Sequence, residues 1–264
     1  MSENSRFPFG LNRKKKKQPE EWDKTIIAVS PYALKDMVLS SESGLGFLEQ
    51  TTVKEQNFKI RLAHSDERVS HASLLVQRMY SQKGYDVPGM KKMPTRITLM
   101  ASQNDIVVGT ITLGIDSGQG LLADENYKGE IDKLRADKRR VCELTKFAVD
   151  RARGSKRVLA ALFHIAYIYG RVLQNQTDVV IEVTPKHAPF YKHLLGFNQM
   201  GEERLNSRVS TMGVLLRLED EYVDQQIEHW GGKTEKAPGE RSLYPYFFSK
   251  SDEAGIAQRL LTGE

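Results

Sequence analysis

The stretch from Arg140 to Val149, followed by Asp150 and the run Arg151-Ala152-Arg153-Gly154-Ser155-Lys156-Arg157, constrains this chain more than any other. Its first part reads as a buried strand, an apolar run with β-branched residues, interrupted by the carboxylate of Glu143 and the ammonium of Lys146. The second part is a basic, glycine-containing turn. It opens a long apolar helix that begins at about Ser155 and extends through Tyr169 toward Gln174. A charge inside a core strand has to be paired, hydrogen-bonded or functional, because an isolated buried ion is costly. The start of the following helix offers free backbone N–H groups and a partial positive charge. An acid beside such an anion-binding turn is what acyl transfer requires. The competing reading of Glu143 is a core carboxylate paired with Lys or Arg for packing alone.

The rest of the chain arranges itself around that unit. Residues 1–24 read as a disordered basic tail whose run Arg13–Lys17 suits weak contact with an anionic membrane. Residues 25–56 show no pattern beyond the loop at Ser40–Gly44. A strand is expected at Phe58–Leu62, then a helix capped by Ser65 or Asp66 with Val69, Ala72, Val76, Met79 and Tyr80 on one face, ending before Gly84. Arg96–Ala101 and Ile106–Ile115 form a hairpin across the polar turn 102–105, and Tyr127–Leu134 a short helix. Beyond the central helix come a strand at Val179–Val183 with the internal acid Glu182, a helix at Phe190–Leu195 stopped by Gly196, and a strand at Thr211–Leu218. Residues 25–220 therefore form one domain, and residues 221–264 a partly helical extension. The fold class is α/β (α+β): a mixed, mostly antiparallel sheet flanked by helices, with one strand–helix–strand crossover expected to be right-handed.

Charge and cysteine content narrow the function classes. Of the net charge of +5, residues 1–20 contribute +4, from six basic and two acidic residues, so the remainder is nearly neutral and no nucleic-acid partner is expected. Between Lys133 and Arg157, however, ten Lys or Arg stand against three acids, a local excess that suits an acidic partner or a phosphate. With Cys142 as its single cysteine the chain forms no internal disulfide, and with no apolar signal core a cytoplasmic location is expected. The six histidines lack metal-ligand spacing, so no metal is expected.

Three groups of residues carry a family resemblance. They are Asp116-Ser117-x-x-Gly120-Leu121 with Tyr127, Glu130 and Leu134-Arg135; Glu143-x-Thr145-Lys146-Phe147-Ala148-Val149; and Pro185-x-His187-x-x-Phe190-Tyr191-x-x-Leu194-Leu195-Gly196-Phe197. In order and spacing they resemble the long-chain N-acyl amino acid synthases. The Glu-x-Thr-Lys-Phe core also resembles the acyl-homoserine lactone (autoinducer) synthases, and both families are similar in fold to the GCN5-related N-acyltransferases. The resemblance covers roughly residues 58–218. It implies an N-acyltransferase that moves a long acyl group from the phosphopantetheine of an acyl carrier protein to the α-amine of an amino acid, with no tightly bound cofactor. Coenzyme A-using relatives carry small residues before the central helix. Lys156 at such a position is expected to crowd their amide cradle, which favours a carrier protein met by Arg151, Arg153, Gly154, Lys156 and Arg157.

Aminolysis of a thioester needs a base for the mostly protonated α-amine, and Glu143 is the candidate. Backbone N–H groups near Phe147, Ala148 and Val149, freed by a bulge or splay, would hold the oxyanion. The resemblance makes Tyr191 the acid for the departing thiolate, against the alternative of a packing tyrosine. Lys146, Arg96 and Arg135 are candidates for the acceptor's carboxylate. Along a regular strand Glu143 and Lys146 face opposite sides, so both serve one pocket only if the strand is distorted between them. Val107, Ile111 and Leu113, with Leu159, Phe163 and Tyr167, are candidates to line an acyl tunnel. The rival readings are an autoinducer synthase, a coenzyme A-dependent N-acetyltransferase, and a non-catalytic module that binds a carrier or a membrane.

Overall fold

The strand Val141–Val149 sits in the middle of the sheet because its apolar side chains are buried on both faces. In the computed structural model the described residues are 25–29 (backbone only), 58–63, 65–91, 93–233 and 239–262. The basic tail of residues 1–24 and most of 25–56 lie outside them. The strands are β1 (Thr25–Val29), β2 (Phe58–Leu62), β3 (Arg96–Gln103), β4 (Ile106–Ile115), β5 (Val141–Val149), β6 (Asp178–Val183), β7 (Asn198–Gln199), β8 (Arg204–Asn206) and β9 (Thr211–Glu219). They run in the order β1-β2-β3-β4-β5-β6-β9-β7, with β8 also on β9. Among the described residues only β5 and β6 pair in parallel, across the expected crossover.

Two helices, α1 (Asp66–Ser81) and α2 (Asp124–Ala136), cover one face. Helix α1 starts where Ser65 accepts a hydrogen bond from the N–H of Arg68, as an N-cap does. The other face is covered by α3 (Lys156–Tyr167), continued by a π-helical turn at Ile168–Leu173, and by α4 (Ala188–Leu195). Gly196 ends α4 in the left-handed region, φ 82°, where a β-carbon would also strike the Tyr222 ring.

The C-terminal residues join the same core. Helices α5 (Asp220–Trp230) and α6 (Lys250–Thr262) and the turn at Tyr244–Tyr246 place Val223, Ile227, Tyr244, Phe247, Ile256 and Leu260 in the core cluster that α3 and its π-helical continuation share. His164, fully buried in α3, stacks on Phe247 and Phe248. It accepts the N–H of Phe248 at Nδ1, 2.9 Å, so Nε2 carries the proton that faces Glu253, also at 2.9 Å. Beneath α3 a pocket of about 30 Å³ lies between Cys142, Tyr244 and Asp220, room for little more than a water.

Candidate active site

Strands β5 and β6 are paired for only three residues: Val141 with Asp178, Cys142 with Val179 and Glu143 with Val180. Beyond Glu143 they part. Residues 144–149 of β5 therefore present a backbone edge with no strand beside it, and that edge opens into a cavity of about 610 Å³. Such a splay leaves backbone N–H groups available to a substrate oxygen. This is the opening expected near Phe147–Val149.

The strand is also bulged where the two charges required it. Opposite β4, Thr145 pairs with Thr112 and Ala148 with Thr110, so Lys146 and Phe147 face the single residue Ile111. Lys146 adopts φ 50° there, a conformation rarely taken by a side-chain-bearing residue. The alternation of faces changes phase across it. Before the bulge Cys142 and Leu144 point to the α3 side, and Val141 and Glu143 to the α1/α2 side. After it Phe147 and Val149 point to α3, and Ala148 to α1. Glu143 and Lys146 consequently line one cavity.

Glu143 is 2 % exposed, and its Oε2 accepts the backbone N–H of Leu122 at 2.7 Å. Burial pushes its carboxyl up to about 7, against the opposing pull of that N–H and of Arg208 and Arg96. It is thus poised between acid and base near neutral pH. Arg96, Gly114 and Glu143 occupy one rung across three strands, and a β-carbon placed on Gly114 would stand in ordinary contact, 3.7 Å, with Arg96 Cγ. Arg96 and Lys146 make no ion pair among the described residues, and Lys146 has its ammonium pKa lowered by burial and by Arg96. Two cations with no ion pair among the described residues, beside a buried carboxyl, give this part of the cavity a charge complementary to a carboxylate.

The second acid of the sheet, Glu182, belongs to the same wall. Asn126 Nδ2 and Arg208 donate to its two oxygens, each at 2.8 Å, and Gly213 leaves room for it. Tyr191 is buried at the cavity edge within a cluster of Phe147, Phe163, Phe190 and Phe197. Burial and the neighbouring Tyr80 hold its phenol well above the usual range, so it keeps its proton at neutral pH. Tyr80, pushed up to about 12 by burial, donates to the carbonyl of Phe147 at 3.4 Å.

Several expectations need correction. Arg135 does not reach the cavity. It is clamped by Asp116 (2.7 Å), Asp124 (2.6 Å) and Asp132 (2.6 Å), and it holds together the loop that delivers the Leu122 N–H. Lys156 is 7 % exposed, with its ammonium over the ring of Tyr246 at 5.6 Å, so it neither meets a partner surface nor lines the cavity. Its side chain therefore gives no steric argument against coenzyme A. Burial lowers its pKa to about 8. Gly154 is also structural: a β-carbon would lie 2.2 Å from Val149 Cγ1. Arg153 and Arg157 lie outside the lining, whereas Arg151 is in it. Ile111, Leu113, Leu159 and Phe163 are buried core residues, Tyr167 donates to Asp224, and Val107 packs under α1. None of these six lines the cavity, whose apolar wall is instead Val76, Met79, Val87, Phe147 and Phe190.

Sequence reasoning passed over Lys83, Lys186 and Arg208, and named His187 only within the family-like motif; all four line the cavity. Their signal is tertiary, since Lys83 and His187 are 104 residues apart yet touch at 3.1 Å. Among the described residues no helix is long and apolar enough to cross a membrane.

Comparison with known proteins adds the following. The sequence model of the family described as N-acyl amino acid synthase FeeM matches residues 71–219, more than half of the chain. The solved structure of FeeM, an N-acyl amino acid synthase from uncultured soil microbes, aligns at 25 % identity with a TM-score of 0.57 over 62 % of this chain and 90 % of that one. The acyl-homoserine lactone synthase LasI aligns at 15 % identity with a TM-score of 0.43, over 62 % of this chain and 91 % of its own. An acyl-coenzyme A N-acyltransferase from Pseudomonas aeruginosa gives 15 % and 0.43, over 61 % and 98 %. No curated protein matches the sequence.

Proposed function

The chain belongs to the FeeM family of N-acyl amino acid synthases, and on that premise we propose that it transfers a long acyl chain from an acyl carrier protein to the α-amine of an amino acid. The observation that carries this reading is the convergence, in one cavity of about 610 Å³, of a buried carboxyl, two cations with no ion pair among the described residues, and an apolar wall. Glu143 takes the proton of the amine as nitrogen attacks the thioester carbonyl. The oxyanion that forms sits against the open edge of β5 beyond Glu143. Collapse breaks the C–S bond, and the departing thiolate receives its proton from Tyr191, which burial keeps protonated. Arg96 and Lys146 hold the acceptor's carboxylate, which places its amine beside Glu143. The acyl chain lies along Val76, Met79, Val87 and Phe190, where a long apolar chain is removed from water.

The test supplies a long-chain acyl carrier protein and a pool of amino acids, reads thiol release, and weighs the product. The matching acyl-coenzyme A runs beside it. Release from the carrier with an N-acyl amino acid product supports the proposal. Release from coenzyme A alone overturns the carrier as donor. No release from either donor sinks the acyltransferase reading and favours a binding module.

A further inference from the structure

At the outer end of the cavity three exposed cations meet from three separate elements. Lys83 follows α1, Arg151 lies in the turn between β5 and α3, and Lys186 lies in the turn after β6. His187 joins them: its Nε2 is 3.1 Å from the Lys83 ammonium and its Nδ1 is 2.7 Å from Thr184 Oγ1. An ammonium can only donate, so Nε2 accepts, and the Nδ1 proton goes to the threonine oxygen. The ring is neutral, and it fixes the direction of Lys83.

No carboxylate among the described residues pairs with these three cations. The acid of the same turn, Asp150, is already engaged by Arg78 at 2.8 Å and by the N–H of Ala152 at 2.9 Å. Mutual repulsion is visible in the group itself. Burial first, then Arg151 and Lys186, lower the pKa of Lys83, and burial with the three cations brings His187 down to about 4. Three cations held together at one cavity, with no counter-charge among the described residues, form a site suited to an anion.

We propose that Lys83, Arg151 and Lys186, with His187 as the residue that positions Lys83, bind the phosphate of the donor's phosphopantetheine arm. The inference rests on the thioester-donor reading above. A donor whose acyl chain lies on the apolar wall and whose carbonyl reaches β5 leaves its arm pointing outward, so its phosphate falls among these side chains. Both acyl carrier protein and coenzyme A carry that phosphate.

The experiment is direct binding by calorimetry, which needs no turnover. The probes are 4′-phosphopantetheine and pantetheine, which differ only in the phosphate. The full-length protein is expected to bind the phosphorylated probe at least tenfold more tightly, and the preference to shrink with salt. In Lys83→Ala/Lys186→Ala the preference is expected to vanish, and in Lys83→Arg/Lys186→Arg to persist. Equal binding of the two probes by the parent protein, or an undiminished preference in the alanine variant, overturns the site. Holo-carrier protein and coenzyme A, titrated against the same proteins, identify the source by which of them the alanine variant weakens. A phosphate preference in a protein that turns over no acyl donor would leave the anion site standing and remove the acyltransferase reading.

Discussion

Glu143 Oε2 and the backbone N–H of Leu122 are joined at 2.7 Å, and among the described residues this is the one hydrogen bond that reaches the candidate base. Leu122 stands in a loop tied by Asp124, which accepts the N–H of Leu121 and is itself gripped by Arg135. Gly120, at φ 82°, has its missing β-carbon 2.8 Å from the Asp124 carboxylate, so the loop cannot take a larger residue there in this shape. The base is therefore aimed by a guanidinium that never touches it.

Replacing Glu143 with Gln is expected to lower kcat by about two orders of magnitude or more, the contribution typical of a general base. The parent kcat should rise with pH through about 7, as the carboxyl ionises, and then level off. A pH profile without that rise would remove Glu143 from the role.

The same substitution should change stability in a pH-dependent way. A carboxyl raised from 4.5 to about 7 in the folded protein favours the folded state while protonated, and that advantage is lost as pH climbs through the window between those values. Glu143→Gln is thus expected to leave the melting temperature unchanged near pH 4 and to raise it most at pH 8, where the folded state gains at most on the order of 3 kcal/mol. Asp220→Asn serves as a comparison away from the cavity. Asp220 is 1 % exposed, neither carboxylate oxygen has a hydrogen-bond partner among the described residues, and burial brings it to about 7. It should show the same pH-dependent gain in melting temperature with turnover intact.

Arg96→Ala and Lys146→Ala are each expected to raise KM for the amino acid at least tenfold, while an acceptor amine lacking the carboxylate responds far less. An equal loss for both acceptors would show that these cations do something other than hold the carboxylate.

Arg135→Ala should cost about 2–3 kcal/mol in denaturant unfolding, because it leaves Asp116 and Asp124 half-buried and unpaired. It should also lower kcat at temperatures where the variant is fully folded. Lys at this position is not expected to rescue it, since one ammonium cannot reproduce the guanidinium's separate bonds to three carboxylates.

Val76→Trp fills the apolar wall contributed by α1. Activity on long acyl donors should fall while activity on short ones is retained, read as a shift in chain-length preference across a donor series. A uniform loss at every length would place the acyl chain elsewhere.

The elements that were legible in the sequence are those set by local pattern. The central strand, the Ser65-capped helix, the hairpin and the helix stopped by Gly196 all lie within a few residues of where apolar periodicity and capping residues put them. For Glu143 and Lys146, strand geometry named the condition, a distortion between them, and the bulge at Lys146 meets it. Arg135 is the instructive miss. Asp124 and Asp132 stand 11 and 3 residues before it, both same-face offsets on a helix, so an internal clamp was readable from spacing. The cluster of Lys83, Arg151 and Lys186 was not readable, because its members come together only when α1 and the turns after β5 and β6 meet in space.

The bulge at Lys146 acts as a frame shift written into the backbone instead of the gene. Remove that one residue and β5 would regain an unbroken two-residue rhythm against β4. Phe147 and Val149 would still face α3 and Ala148 α1, because the residue removed is the extra one; straightening the strand with Lys146 kept in it is what would turn Phe147 and Val149 out of the α3 core and Ala148 into it. Point substitutions at this position test a charge; a single-residue deletion would remove both the charge and the bulge while leaving the downstream side chains on their present faces.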